Sequence, residues 1–275
     1  MAISPLASGV LFAEAKTILV MSYFDTVASE YDKDFTHSIV GQYQRNLIQQ
    51  EVKQLLSGKN ALQILELNCG TGEDASFFNQ LGHKVFATDA SNEMIEVCKK
   101  KHVNSDTLIF EQCRIEEIKL TQNQKFDVVF SNFSGINMLD EEALRKFLTR
   151  VPAHLVTNGY LILVFFGKVY LPEFLYYLLK GRWKKAIRRL KHKEQFAGKE
   201  YIYYHSTFKV QELLQAEYFI VKSKPVGIVS PPSYLSAWFE KRKWLFNFLV
   251  YCDSVLTYIV PGIGSDHCML IAKKR

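Results

Sequence analysis

The stretch Glu66-Leu-Asn-Cys-Gly-Thr-Gly-Glu-Asp-Ala75 decides how the chain is read. From Gly70 it runs G-x-G-x-x-A, a variant of the fingerprint that turns a strand into a helix and lets a ligand approach the backbone closely. The apolar run Gln63–Leu67 before it has strand length, and Glu73–Leu81 after it has helical character. Such a loop suits two kinds of ligand, one carrying a pyrophosphate and one carrying cationic groups. Asp89, nineteen residues beyond Gly70, does not separate them, because a carboxylate there accepts hydrogen bonds from ribose hydroxyls and both ligands carry a ribose.

Glu66 and Asp74 do separate them. Each carboxylate would repel a pyrophosphate by about 1 kcal/mol even in high dielectric, and more when desolvated. S-Adenosylmethionine brings an ammonium and a sulfonium and no phosphate, so the same carboxylates attract it. The loop therefore reads as a S-adenosylmethionine site, and a NAD-dependent dehydrogenase is the disfavoured reading.

Around this loop, short apolar runs alternate with helical stretches. Strands are expected at Gln63–Leu67, Lys84–Thr88, Leu108–Gln112, Phe126–Ser131, Tyr160–Phe166, Phe219–Lys224 and His267–Ala272, and helices at Glu73–Leu81, Asn92–Lys101 and Glu141–Leu155. That alternation implies an α/β fold with a doubly wound parallel sheet. About fifty residues separate the fifth and sixth strands and about forty the sixth and seventh. Simple connections are shorter, so both read as lid insertions over the carboxyl edge of the sheet.

Composition bounds the rest. The chain has 275 residues, 48% hydrophobic and 23% charged, which is ordinary for a globular protein. Its five cysteines (Cys69, Cys98, Cys113, Cys252 and Cys268) show no metal spacing, which fits a reduced, cytoplasmic chain. Residues 1–20 are apolar but carry no Lys or Arg before Lys16, so they lack the basic start of a secretory signal. They read as an extension, or a disordered stretch, ahead of a natural start at Met21. The apolar run Trp244–Ile263 is interrupted by Asn247, Asp253 and Pro261 and reads as a buried or lid helix rather than a membrane span. Lys180–Lys193 holds eight Lys/Arg in fourteen residues, with Trp183, Ile187 and Leu190 at helical spacing. It reads as an amphipathic basic helix with three apolar anchors. Its charged face is either simply solvated or set against an anionic membrane or an acidic substrate. No nucleic-acid motif accompanies it.

Taken together, "ILELNCGTGEDA", "VFATDASNEMIE" and "FDVVFSNFSGINML" resemble the first, second and fourth motifs of the class I S-adenosylmethionine-dependent methyltransferases, over roughly Tyr23 to Phe166. The resemblance implies a Rossmann-like seven-strand sheet with an antiparallel last strand. It places Glu66, Asn68, Cys69, Gly70, Gly72 and Asp74 around the methionine moiety and Asp89 on the ribose. Ala90, Met94, Arg114 and Ile115 fall near the adenine, and Ser131 and Asn132 near the methionine tail and substrate entrance. Two departures stand out: Asn68 where the family has glycine, and Arg114 where an acidic residue accepts a hydrogen bond from the adenine. "FDTVASEYDKDFTHSIVGQYQR" and "PPSYLSAWFEKRKWLFNFL" resemble the N-terminal helices and C-terminal lid of a bacterial subgroup acting on small molecules, which makes Tyr31, Phe35 and Thr36 cofactor-cover residues. The expected organisation is one methyltransferase domain over 21–275: cover helices 21–60, cofactor core 61–166, lid insertion 167–215, and last strands with a second lid insertion 216–275.

On the substrate side, no metal site is indicated. Methyl transfer needs a nucleophile placed about 3 Å from the methyl and a dry site, and a base is optional when the acceptor arrives ionised. Candidate bases are His37, His205 and His267. The N-P-P-Y signature of amino-group methylation is absent, since the fourth strand ends S-N-F-S. Aromatics crowd both insertions and suit a small, largely apolar acceptor. A non-catalytic module of the same fold, binding the cofactor or a partner, is the alternative.

Overall fold

The computed structural model describes residues 23–102, 105–118, 124–195, 200–259 and 264–275. The expectations for residues 1–20 and for a start at Met21 lie outside them. The N-terminal segment forms helix α1 (23–31), a π-helical turn Asp32–Thr36 and helix α2 (Ile39–Leu55), whose N-cap Ser38 accepts from the Gly41 N–H.

The sheet follows. Strands β1 (Gln63–Leu67), β2 (Lys84–Asp89), β3 (Leu108–Gln112), β4 (Phe126–Ser131) and β5 (Leu155–Phe166) alternate with helices α3 (Glu73–Gln80), α4 (Asn92–Lys101) and α5 (Glu141–Arg150). After β5 come α6 (Leu171–Leu179), α7 (Trp183–Ala186), a hairpin of β6 (Lys193–Gln195) and β7 (Tyr201–Tyr203), and α8 (Thr207–Leu214). Then come β8 (Tyr218–Val226), α9 (Ser236–Glu240), α10 (Lys243–Ile259) and β9 (His267–Lys274). The seven-stranded order is β3-β2-β1-β4-β5-β9-β8. The first five strands are parallel, and β9 runs antiparallel to both neighbours.

Period-two alternation supplies both cores. Ile64, Val128, Phe130 and Ile162 face one layer with Ile48, Phe78 and Ile95; Leu65, Val129, Leu161 and Leu163 face the other with Phe147, Leu148 and Leu270. Strand order reverses between β1 and β4, and a crevice opens there at the carboxyl ends of the strands. Register fixes what reaches it. Leu67 lies opposite both Thr88 and Ser131, so Asn68, Asp89 and Asn132 leave the sheet side by side.

Three elements differ from expectation. The helix expected over Glu141–Leu155 ends at Arg150, because Pro152 has no N–H to continue it; a 3-10 turn Val151–His154 follows and β5 begins at Leu155. The hairpin of β6 and β7 has no counterpart in the sequence reading. The basic segment Lys180–Lys193 is not one amphipathic helix. It is the four-residue α7, a 3-10 turn Arg188–Leu190 and the first residue of β6, and its supposed anchors Trp183, Ile187 and Leu190 are exposed. Gly181, at φ +67°, ends α6. Arg189 then turns inward to the carboxylates of Glu173 and Asp266, 2.5 Å from each. The run Trp244–Ile263 does form a helix as far as Ile259, and no helix among the described residues is long and apolar enough to cross a membrane; residues 260–263 lie outside them.

Candidate cofactor and substrate site

The glycine loop leaves β1 through Cys69, whose N–H donates to the Thr88 carbonyl at 2.9 Å. Gly70 and Gly72 then take φ of +55° and +81°, a backbone region that side-chain-bearing residues rarely adopt. A Cβ on Gly72 would also stand 2.9 Å from the Phe110 ring. The Gly72→Ala variant is therefore expected to lose about 1–3 kcal/mol of stability from strained backbone and contact together, measured by urea denaturation. Cys69 lends backbone rather than chemistry: contact with Cys98 and burial hold its thiol well above the usual range.

Asp89 closes the loop from the end of β2. Its Oδ2 accepts the Gly70 N–H and its Oδ1 the Ser91 N–H, each at 2.9 Å. Burial nonetheless pushes its pKa up. Each oxygen keeps a lone pair for a further donor. Glu66 is 2% exposed, and its Oε2 has no hydrogen-bond partner. Burial, and then the nearby Asp74 carboxylate, push its pKa well above the usual range.

Asp74 plays a different part from the one expected. It accepts from Gln49 Nε2 and Asn132 Nδ2, each at 2.8 Å, and pairs with Arg45 Nη1 at 3.5 Å. Its charge is already answered by protein, so Asp74 braces α3 against α2 and the end of β4. Asn68 sits at φ +51°, which asparagine tolerates better than most residues. Its side chain takes a 2.6 Å hydrogen bond from Ser131 Oγ and gives another of 2.6 Å to the Asn132 carbonyl. Asn68 thus ties β1 to β4, with Ser131 and Asn132 as its partners.

The N-terminal helices lie on this loop. Tyr31 stands 3.7 Å from where a Gly70 Cβ would be. Thr71 Oγ1 donates to Asp32 Oδ1, and Ser91 Oγ to Asp25 Oδ1, both at 2.5 Å. Burial pushes the Tyr31 phenol up to about 12, with Arg45 opposing. Thr36 is buried within the cover. Asp32, Glu73 and His37 come close enough to share a cation, but the Lys101 ammonium already pairs with both carboxylates.

Where the resemblance puts the adenine, the Ala90 carbonyl accepts from Gln112 Nε2 at 3.1 Å, and Met94 is buried at the start of α4. Arg114 pairs with Glu116 at 3.5 Å and leaves a buried Nη1 unpartnered, while Ile115 packs on the core beneath α5. A cavity of about 640 Å³ lies under α5 beside Ile115 and Phe147. It holds none of the loop residues.

An aromatic wall stands at the ends of β4, β5 and β9. Phe133, at φ +43°, meets Phe35 edge-on at 4.9 Å and His267 at 5.5 Å. Phe166 stacks on His267 at 4.4 Å, and the Arg189 guanidinium lies 4.8 Å from the Phe166 ring. Of the three histidines, only His267 belongs here. His205 is buried with Nε2 3.0 Å from the Leu139 carbonyl, a structural role, and His37 is exposed at the end of the π-helical turn. Burial pushes the His267 ring down to about 4, against the pull of Asp266, so it is neutral at physiological pH.

The arrangement fits S-adenosylmethionine. A buried carboxylate with one oxygen unpartnered suits an ammonium, the left-handed glycines admit close approach, and Asp89 has lone pairs left for a ribose. Sequence reasoning missed Arg45, which lies 5.1 Å from the Phe133 ring centroid and keeps a buried Nε without a partner. It also missed Phe133, Arg189 and Asp266.

Residues 64–159 match the family described as "Methyltransferase domain". An uncharacterized protein of Methanocaldococcus jannaschii is 26% identical over 172 residues, 62% of this chain and 61% of its own length. A demethylmenaquinone methyltransferase of Streptomyces griseus is 29% identical over 132 residues, 48% of this chain and 55% of its own. The matches thus span less than two thirds of either relative. Among solved structures, the magnesium protoporphyrin IX methyltransferase of Synechocystis, with bound S-adenosylhomocysteine, superposes with a TM-score of 0.58 at 16% identity, covering 94% of this chain and 99% of that one. That superposition bears on the fold alone. The family match lies across the glycine loop, Asp89 and β4, so residues 64–159 are a methyltransferase domain, set in the Rossmann-like fold of the S-adenosylmethionine-dependent methyltransferases.

Proposed function

We propose that the chain transfers a methyl group to a small, largely apolar metabolite. The observation that carries this is the aromatic wall of Phe35, Phe133, Phe166 and His267 beside the acidic glycine loop. The names of the relatives agree with it, since demethylmenaquinone and magnesium protoporphyrin are flat, apolar acceptors. When bound, S-adenosylmethionine supplies a methyl carbon on a positively charged sulfur, which an acceptor lone pair takes as a neutral thioether leaves. Glu66 holds the ammonium and Asp89 the ribose hydroxyls. Tyr31 and Phe35 exclude water, which strengthens each of these contacts. His267, buried with its Nε2 3.4 Å from Ser134 Oγ, offers the acceptor a neutral aromatic wall rather than a base. A ring held near pH 4 does not retain a proton at neutral pH, so it favours acceptors that ionise readily, such as enols, phenols and carboxylates, and hence O- or C-methylation.

Thermal shift tests the cofactor half of this reading. S-Adenosylhomocysteine at a hundredfold excess over its dissociation constant is expected to stabilise the protein by about 2.7 kcal/mol, and NAD not at all; the reverse pattern would refute it. A panel of phenols, enols and amines with methyl-labelled cofactor tests the acceptor.

Cofactor affinity is also expected to depend on pH. Burial raises the Glu66 pKa, so at pH below that raised value the free protein carries a proton there that an ammonium must displace. Affinity for S-adenosylhomocysteine should therefore rise with pH from the ordinary glutamate range up to the raised value and then level off. Asp89, also raised, acts in the same direction. Titration calorimetry between pH 5 and 8 should show proton release on binding, and Glu66→Gln should flatten the slope. A slope unchanged in that variant would remove Glu66 from the ammonium.

A further inference from the structure

We propose that the two insertions form a docking face for an anionic lipid bilayer, fastened beside the substrate side of the site. Among the described residues, thirteen of the eighteen exposed large hydrophobic side chains lie in two short stretches, 169–190 and 234–255. On α10 they form one outward stripe of Trp244, Phe248, Tyr251 and Val255, at helical spacing. On α6 they are Leu171, Leu175 and Leu179, one turn apart. All three tryptophans of the chain are among the thirteen, 68% exposed at Trp183, 45% at Trp238 and 73% at Trp244. Tryptophan is usually well buried in soluble proteins and enriched at the water–lipid boundary. The two stretches touch: the Tyr234 ring lies 5.6 Å from Tyr176 and 5.9 Å from Tyr177 on α6.

Charge identifies the occupant. Residues 169–193 hold eight basic residues and one acid, Glu173, whereas the other 250 residues hold 26 basic and 27 acidic. Essentially the whole net charge of the protein is thus collected on the first insertion. Glu173 is buried and faces Arg188 and Arg189, while Lys180, Arg182, Lys184 and Lys185 are exposed among the exposed leucines and Trp183. Lys241, Arg242 and Lys243 add the same sign at the start of α10. A second copy of the chain would bring like charges together across a two-fold interface. A negatively charged bilayer answers both the cations and the interleaved apolar side chains. Arg189 fixes the face to the site, since it reaches Asp266 at the head of β9 and covers Phe166 of the aromatic wall.

The test is sedimentation with phosphatidylglycerol/phosphatidylcholine vesicles and with pure phosphatidylcholine vesicles, at low and high salt, with tryptophan emission followed in parallel. The full chain is expected to bind only the anionic vesicles, more weakly as salt rises, with a blue shift and quenching by brominated acyl chains. Each basic residue at such a surface contributes roughly fivefold in affinity. Reversing Lys180, Arg182, Lys184 and Lys185 to Glu should therefore cost at least about a hundredfold, while the thermal shift with S-adenosylhomocysteine stays as in wild type. Trp244→Ser with Phe248→Ser should weaken binding and remove part of the blue shift, which keeps the inference testable should the charge-reversed protein fold poorly. It is overturned if anionic vesicles leave the protein in the supernatant at low salt, or if pelleting survives the charge reversal. Equally decisive against it would be a tryptophan emission unmoved by lipid, or a stable dimer in lipid-free solution that Trp244→Ser dissolves.

Discussion

Replacing Arg189 by leucine is expected to destabilise the protein by about 3–5 kcal/mol, lowering its melting temperature by roughly 6–20 °C for a chain of this size. The residue is buried and holds two buried carboxylates, Glu173 and Asp266, each at 2.5 Å. Burial works to raise the Asp266 pKa, but the Arg189 guanidinium outweighs it and holds that carboxyl below its ordinary value. Remove the arginine and two desolvated anions remain, 16 and 77 residues from position 189 in sequence yet close in space. The largest loss follows from removing the cation they share, which leaves Glu173 with Arg188 alone and Asp266 with only the neutral Gln44 amide as donor, so the triple variant Arg189→Leu, Glu173→Gln, Asp266→Asn should recover much of the stability. Calorimetric melting of the single and triple variants checks this, and a single variant within 1 kcal/mol of wild type would show that the cluster does not brace the insertion.

Asp89→Ala is expected to weaken S-adenosylhomocysteine binding by about 3–6 kcal/mol, which is two to four orders of magnitude in dissociation constant. Two hydrogen bonds from ribose hydroxyls to a charged acceptor would go, each worth about 1.5–3 kcal/mol, and the loop N–H of Gly70 would lose its partner. Asp89→Asn keeps the shape and removes the charge, so it should fall between. Titration calorimetry reads both. Equal affinity in wild type and Asp89→Ala would take the residue out of ribose binding.

The cofactor loop was legible because its requirements are local. A strand, a left-handed turn and a helix start within twelve residues, and glycine and carboxylate are the residue types each position needs. The same holds for β1, β3 and β4, whose apolar runs end where turn residues begin. Roles that depend on distant partners were not legible. Nothing near Asp74 in the sequence announces that Gln49, Arg45 and Asn132 answer its charge, so the local motif alone points it at a ligand. Lys180–Lys193 shows helical spacing, but one buried arginine reaching Asp266 outweighs the modest propensity of a short exposed helix. His37, His205 and His267 are alike in sequence, and only burial and neighbours set His267 apart.

The antiparallel placement of β9 has a consequence for synthesis of the chain. Parallel β1 to β5 are complete once Phe166 has been made, yet β5 then presents an unpaired edge along Tyr160–Phe166, the residues that later pair with β9. Its partner arrives only with His267, about a hundred residues later, or roughly 5–20 s at ordinary elongation rates. Throughout that interval an apolar strand edge is open to pairing with other chains. The aromatic wall also lacks His267 until the ribosome has passed it, while the cofactor loop is already in place. Nascent protein stalled between these two points should therefore acquire the cofactor site before the acceptor site, and should depend on chaperones more than the finished chain does.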